Sequence, residues 1–457
     1  MPHVMKQISL ACALCLPALS AHAQSAEEDD LARIYGDKAF VSIATGARQP
    51  LSRAPAVTTV ITADDIAKMG ATDLNTALEM VPGMHVERAA FYYSPIYVMR
   101  GIYSVNNIQV LVLLNGVPMV AANPGVRGID LGDMPLEHVA RIEVIRGPAS
   151  ALYGADAYSG VINVITKSPA DLHGSQVGAR YGSFASRDVW LEHGGKIGGL
   201  ALSAFLHLGT SAGSKEIIDA DAQSARDKIF HSHASLAPGP VSRGMDAADV
   251  SLEASYQHWW GRLNYLERDN IGTGAGIASS LDPIGKQKTQ RAIYELGWAQ
   301  SQFVEGWDGN AQISYVDLQT RLPESVRLAP PGTVLASGIF PDGQLGHPEI
   351  SEYQLGISGN VTYSGFAQHK MRIGIGHEDH NLYQTATFKN YVFNANGVPV
   401  PVGALQDFSS IQPFLLPQRR KLNYLYLQDE WQLANDWTIT GGIRHDRYSD
   451  FGSTTNP

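Results

Sequence analysis

From Gly174 onward the chain alternates apolar and polar residues, and this period of two limits its fold more than any other feature. Tyr353, Leu355, Ile357, Val361 and Tyr363 share one parity, while Glu352, Gln354, Ser358, Asn360 and Thr362 share the other. Trp437, Ile439, Gly441 and Ile443 repeat the pattern against Thr438, Thr440, Gly442 and Arg444. Successive side chains of a strand point to opposite faces, so each segment carries one apolar and one polar face. Long segments of this kind, with aromatics near their ends, are what a transmembrane β-barrel requires; soluble sandwiches alternate over shorter runs. About eleven strands are predicted, near 174–182, 186–195, 200–208, 249–258, 260–268, 291–302, 308–320, 351–363, 369–383, 421–433 and 437–448. Their connections alternate between tight turns near Gly198, Gly261, Gly306, Phe366 and Asn435 and long segments at 209–248, 269–290, 321–350 and 384–420. Short periplasmic turns and long outer loops give a barrel that asymmetry, and a sandwich has no reason for it. Asp429 breaks the pattern by sharing the parity of Leu425, Leu427 and Trp431. A charge facing mid-bilayer lipid is costly, so a bulge or a place at the periplasmic rim is expected there.

The start of the chain reads as an export signal. Lys6, the apolar stretch Ile8 to Leu19 and the small-x-small site Ala21-His22-Ala23 define a signal peptide over residues 1–23. The 2 cysteines, Cys12 and Cys15, fall inside it, so the mature chain would hold none. An exported chain without disulfides needs another source of stability, and a closed barrel in lipid is one. No later run is long and apolar enough for a membrane helix. The net charge of −10 gives no argument for nucleic acid. Residues 24–49 begin with the acidic cluster Glu27 to Asp30 and contain a β-prone piece, AFVSIATG, at 39–46.

At 457 residues the chain is longer than one ordinary domain, and residues 50–167 read as a separate α+β domain. Val57 to Thr62 is a strand, followed by a helix opening at Ala63 with acids in its first turn. Thr72 is expected to cap a second helix, with Leu74, Ala77, Leu78 and Val81 on one face and Pro82-Gly83 as its stop. Ile108 to Leu114 is an apolar strand, and Asn115-Gly116 is a strong hairpin signal. RIEVIRGPASALYGADAYSGVINVIT (141–166) then gives two β-branched strands around a glycine-punctuated turn, with Arg141, Glu143 and Arg146 as charges on one strand face.

No catalytic constellation stands out: GxSxG, HExxH, Walker and paired-cysteine patterns are missing, so an enzyme is not expected. His231 with His233, and His377 with His380, are the only tempting metal-ligand pairs, but short histidine pairs in loops are more often simply polar. No metal site is therefore assigned. The stretch Arg88 to Tyr97, RAAFYYSPIY, packs Phe91, Tyr92, Tyr93 and Tyr97 beside Arg88. Aromatics with an arginine suit a large, flat or anionic chelate through stacking and cation–π contact.

Four stretches carry a resemblance: TDLNTALEMVPGMHV (72–86), MRGI (99–102), IQVLVLLNGVPM (108–119) and RIEVIRGPASALYGADAYSGVINVITK (141–167). In this order they closely resemble the plug domain of TonB-dependent outer-membrane receptors, a likeness that covers the chain from about Ala39 to its end. The resemblance implies an α+β plug domain at 50–167, followed from 168 to 457 by the N-terminal part of an antiparallel transmembrane β-barrel. Such barrels have about 22 strands, so about half is expected, with the chain left in an extracellular loop at Ser453 to Pro457. By position, 39–46 resembles the TonB box, in which Phe40, Val41, Ser42, Ile43 and Ala44 would pair with the TonB energy-transducing complex by strand addition. Arg100, Arg146 and Glu143 are expected to latch the plug to charged groups of the barrel wall. Half-breaking such a buried pair costs roughly 3–5 kcal/mol. Arg88, Phe91, Tyr92, Tyr93, Tyr97 and Asn123, in the Ala121 to Arg127 loop, are the expected ligand contacts. The implied function is uptake of a scarce, bulky nutrient across the Gram-negative outer membrane, a ferric siderophore in the first place. Haem, cobalamin or an oligosaccharide is the alternative. Partners are then TonB, outer-membrane lipid and a metal chelate; no cofactor is expected, the chelate being cargo.

Overall fold

The computed structural model describes residues 40–42, 49–51, 54, 56–121, 132–434 and 437–457. The signal-like residues 1–23 lie outside the described residues, as do Ile43, Ala44 and Asn123 of the expected sites.

An inner domain forms where local signals agree. Thr62 closes the strand Thr58–Thr62 and caps the helix Ala63–Met69. Its hydroxyl accepts from Asp65 N at 3.2 Å, and the Asp65 carboxylate accepts from Thr62 N at 3.0 Å. The next helix, Leu74–Leu78, is capped by Asp73 rather than Thr72. Asp73 holds the extended backbone a cap needs, and its carboxylate accepts from Thr76 N at 2.9 Å. Asn115 and Gly116, with φ of 53° and 85°, turn the strand Val110–Leu114 into Val117–Pro118.

These elements build a sheet of order Thr58–Thr62, Val139–Arg146, Gly160–Thr166, Val110–Leu114, Val117–Pro118. Its one parallel pair joins Gly160–Thr166 to Val110–Leu114. On the other side Gly160 permits the close approach of the antiparallel strand Val139–Arg146, since a Cβ there would lie 2.4 Å from the Ile145 carbonyl oxygen. A separate hairpin pairs Met84–Arg88 with Pro95–Met99.

The remaining chain is an antiparallel wall. In order along the sheet it runs Gly174–Tyr181, Arg187–Ile197, Leu200–Ser211, Met245–Tyr256, Trp259–Gly272, Lys286–Val304, Trp307–Glu324, Gln344–Tyr363, His369–Phe393, Gln418–Ala434 and Trp437–Tyr448. All eleven predicted strands are present, several extending further into the outer loops. The last residues differ from expectation: Gly452–Asn456 is not loop but a further strand, pairing Arg444 with Asn456. Phe451 stacks on Tyr448 at 4.2 Å under Arg420, which folds the chain back at 449–451. The two terminal strands of the sheet are not paired to each other.

The outward face carries Val189, Leu191, Leu206, Leu208, Ile313, Ile357, Ile375, Leu427 and Ile439, all exposed. Tyr256, Trp259, Phe303, Phe366, Trp431 and Trp437 ring the edge that bears the short turns. An apolar band bordered by aromatics is the lipid-facing surface of a membrane barrel. Asp429 lies near that same edge, bonded to His369 Nδ1 at 2.8 Å, with His369 stacked on Trp431, so the rim accounts for it. The inward face buries polar groups and contacts the inner domain, whose core takes in Leu266, Ile293 and Val316 of the wall.

Ile375, 62% exposed on the outward face of His369–Phe393, gives a test of the lipid assignment. Ile375→Lys should destabilise the barrel by about 2–4 kcal/mol, read as a lower folded fraction on heat-modifiable gel migration from lipid vesicles. An unchanged folded fraction would place this face outside lipid.

Candidate ligand-binding site

The turn after Met84–Arg88 carries Phe91, Tyr92 and Tyr93 at the end of the inner domain nearest the long loops. Tyr92 and Tyr93 have φ of 51° and 52°, left-handed backbone that is uncommon for bulky residues and needs support from outside. The wall supplies it. Tyr92 N–H donates to Thr273 O at 3.0 Å, Ala275 N–H donates to Ala90 O at 2.8 Å, and Phe91 bridges Gly274. Gly274 is at φ 69°, and a Cβ there would meet the Ala90 carbonyl at 2.5 Å. Only glycine allows this strap.

Beneath the loops lies a cavity of about 410 Å³. Phe91, Tyr92 and Tyr93 line it from the inner domain; Ile271, Leu322, Val326, Ile350 and Phe414 line it from the wall and loops. Gln287 and Thr289 add polar edges, and Asp133 and Arg268 are its charged groups. Size and lining are those of a small-molecule site. Burial pushes the Tyr92 phenol well above its ordinary range, with the Asp282 charge adding, so it stays a neutral O–H. Arg243 lies over the Tyr93 ring at 4.8 Å. A larger space of about 770 Å³ lies beside Tyr153 and Asp156, lined also by Arg444, Tyr448 and Phe451. It borders the last strands of the open sheet, so its volume reflects that edge, and the smaller, more apolar cavity is the better site.

Inner domain and wall are joined by a chain of charges across consecutive strands. Glu137 of the inner domain meets Arg180 at 2.7 Å, and Arg180 meets Asp188 at 3.1 Å. His207 sits between Asp188 at 3.1 Å and Asp249 at 3.0 Å. Asp249 is held bidentate by Arg268 at 2.9 and 3.1 Å, and Arg268 Nη2 donates at 3.3 Å to the backbone carbonyl of Asp133. Elsewhere Arg444, paired with Asp446, donates to the Leu152 carbonyl, and Lys167 meets Glu192 at 2.9 Å. Burial lowers the affinity of His138 for a proton, and its ring stacks on Phe205 at 4.8 Å.

Residues 50–161 match the family model of the TonB-dependent receptor plug domain, and residues 240–457 match that of the TonB-dependent receptor-like β-barrel. The chain belongs to the TonB-dependent receptors. It is an outer-membrane protein, and its family consists of receptors and transporters. Solved structures share the fold. The ferric yersiniabactin uptake receptor of Yersinia pestis matches with a TM-score of 0.58 at 16% identity, over 88% of this chain and 60% of its own. A mutant ferric enterobactin receptor of Pseudomonas aeruginosa gives 0.64 at 18%, over 88% and 59%. The ferric preacinetobactin receptor of Acinetobacter baumannii gives 0.60 at 15%, over 92% and 61%. The chain thus spans about three-fifths of the length of these structures.

Within this receptor the inner domain is the plug, and several expected residues are placed elsewhere than the sequence suggests. Tyr97 is fully buried in the plug core, its N–H bonded to Asn107, and does not line the cavity. Arg88 donates to the Tyr93 carbonyl at 3.2 Å, bracing the aromatic turn from below. Arg146, of opposite parity to Glu143, donates to the Pro82 carbonyl and to Thr59, both in the plug. Arg100 is exposed, with its backbone N–H on Gly83 O. Among the described residues neither arginine forms an ion pair with the wall. Glu143 pairs with Arg141 at 2.8 Å and accepts from Ser42, again inside the N-terminal part. His377 bonds Asn423, His380 pairs with Glu378, and His231 ends the helix Ala222–Phe230. Asp133, Arg268, Asp249, His207, Arg243 and Gly274 were missed, because their roles arise only when distant strands meet.

Desolvation by the surrounding protein pushes the Asp133 carboxyl up, against the pull of Arg88 and two further arginines. A raised acid binds its proton more readily folded than unfolded, so its contribution to stability is fullest below the ordinary carboxylate value and is lost as pH rises through the raised one. Asp133→Asn should therefore raise the plug's urea midpoint near pH 7, and the gain should fade as pH approaches about 4. A gain that persists at low pH, or a loss near pH 7, would contradict this.

Proposed function

We propose that this receptor captures a ferric siderophore at the outer surface and passes it inward with energy delivered through TonB. The observation that carries the reading is the aromatic plug turn lining a ligand-sized cavity and strapped to the wall at Gly274. The ferric-chelate receptors that share its fold support the choice of cargo. The plug's contacts with the wall support gated passage over a passive pore.

The N-terminal strand is the coupling element in this proposal. Phe40–Val41 pairs with Gln49–Pro50 and is buried on the plug. Ser42 closes the contact, its N–H donating to Glu143 Oε2 at 3.0 Å and its hydroxyl donating to the same carboxylate. So short a strand pair is exchangeable for an added strand of a partner, because both are made of backbone hydrogen bonds. Ile43 and Ala44, the rest of the expected coupling segment, lie outside the described residues.

Replacing Phe91 and Tyr92 together by alanine should weaken binding of the transported chelate by about 1–3 kcal/mol, measured on cells with radioiron-labelled catecholate, hydroxamate and carboxylate chelates. Uptake should fall in step with binding. Unchanged affinity in a folded variant would assign these rings to packing, and binding of haem, cobalamin or an oligosaccharide but of no ferric chelate would change the cargo.

A further inference from the structure

Among the described residues the cavity's charges do not balance. Arg268 reaches it but is spent on Asp249 through two hydrogen bonds, and on the Asp133 backbone through a third. Arg88 is committed to the Tyr93 carbonyl, and Arg243 to the Tyr93 ring and Ser214. The Asp133 side chain faces the cavity, and among the described residues its carboxylate takes part in no hydrogen bond or ion pair. It is exposed to the cavity. A carboxylate without a protein partner is free to pair with a ligand cation, and a charge-assisted hydrogen bond to it is about twice as strong as a neutral one.

We propose that Asp133 is a specificity-determining residue, selecting a ligand whose apolar or aromatic body carries a protonated amine. This rests on the uptake reading above and narrows its cargo: the body packs on Phe91, Tyr92 and Phe414, and the ammonium group binds Asp133. A strongly anionic chelate meets the same carboxylate as repulsion, and among the described residues no uncommitted arginine lines the cavity to offset it. Because the Asp133 carbonyl also receives Arg268, the residue that reads the ligand is bonded to the wall's charge chain.

The test uses the receptor in outer-membrane vesicles and three radioiron probes: a linear ferric trihydroxamate with a terminal primary amine, its N-acetyl form, and an anionic ferric tricatecholate. The amine-bearing probe should bind about tenfold more tightly than its N-acetyl form, with the tricatecholate weakest. Asp133→Asn should bring the first two affinities together by weakening the amine-bearing probe, and binding of the N-acetyl probe by the variant reports an intact fold. Equal binding of the first two to the unaltered receptor, an unchanged ratio in the variant, or tightest binding of the tricatecholate would overturn the inference and leave the ferric-chelate reading standing. Binding of none of the three would overturn that reading, and this inference with it.

Discussion

The structure depends on how the wall neutralises its own arginines. A lumen must carry polar residues because the other face of every strand faces lipid, and a buried cation is costly unless its counter-ion comes with it. The register provides that. Arg180 stands directly opposite Asp188, and His207 directly opposite Asp249. Asp188 reaches His207, and Asp249 reaches Arg268, along diagonals of the ladder. Arg180, Arg268 and Arg444 all touch the plug, and each also holds a wall carboxylate. The plug can therefore leave without stranding an arginine. What it gives up at Arg268 and Arg444 is a hydrogen bond to a backbone carbonyl, about 1.5–3 kcal/mol for a charged donor. The exception is Glu192, whose partners Lys167 and His138 are both of the plug. Lys167 follows the last plug strand and is covalently close to the wall, so this contact suits a fixed attachment.

Two further contacts connect that ladder to the cavity. The strap at Gly274 holds a turn whose two tyrosines sit in left-handed backbone, a conformation the plug alone would not favour. Asp133 belongs to both assemblies, with its side chain in the cavity and its carbonyl under Arg268. Movement of either contact by a ligand is felt at the wall directly.

The strands were legible because lipid enforces a strict alternation over long segments, and the helix signals were nearly so, off by one residue at Asp73. The fold of the last residues was not: stacking of Phe451 on Tyr448 is a contact between side chains, and no local pattern encodes it. The aromatic turn was visible as a cluster in RAAFYYSPIY, yet alternation along the strand sends Tyr97 into the core. The latch was misplaced for a deeper reason. Arg146 and Glu143 are conspicuous in the motif, whereas Asp249 and Arg268 look like ordinary lumen residues until the register of Met245–Tyr256 against Trp259–Gly272 joins them.

The most direct test of the self-neutralised latch is a comparison of plug unfolding in the receptor, read by labelling a cysteine introduced in the plug during a urea titration in vesicles. Arg268→Met leaves Asp249 without its bidentate partner, whereas Asp249→Leu combined with Arg268→Met removes both charges. Between plug and wall the double change loses only the bond to the Asp133 carbonyl, since the His207 bond to Asp249 lies within the wall. The account predicts that the double variant is the more stable of the two, with a cost close to one charged hydrogen bond, about 1.5–3 kcal/mol. A double variant as unstable as the single one, or less stable, would contradict it.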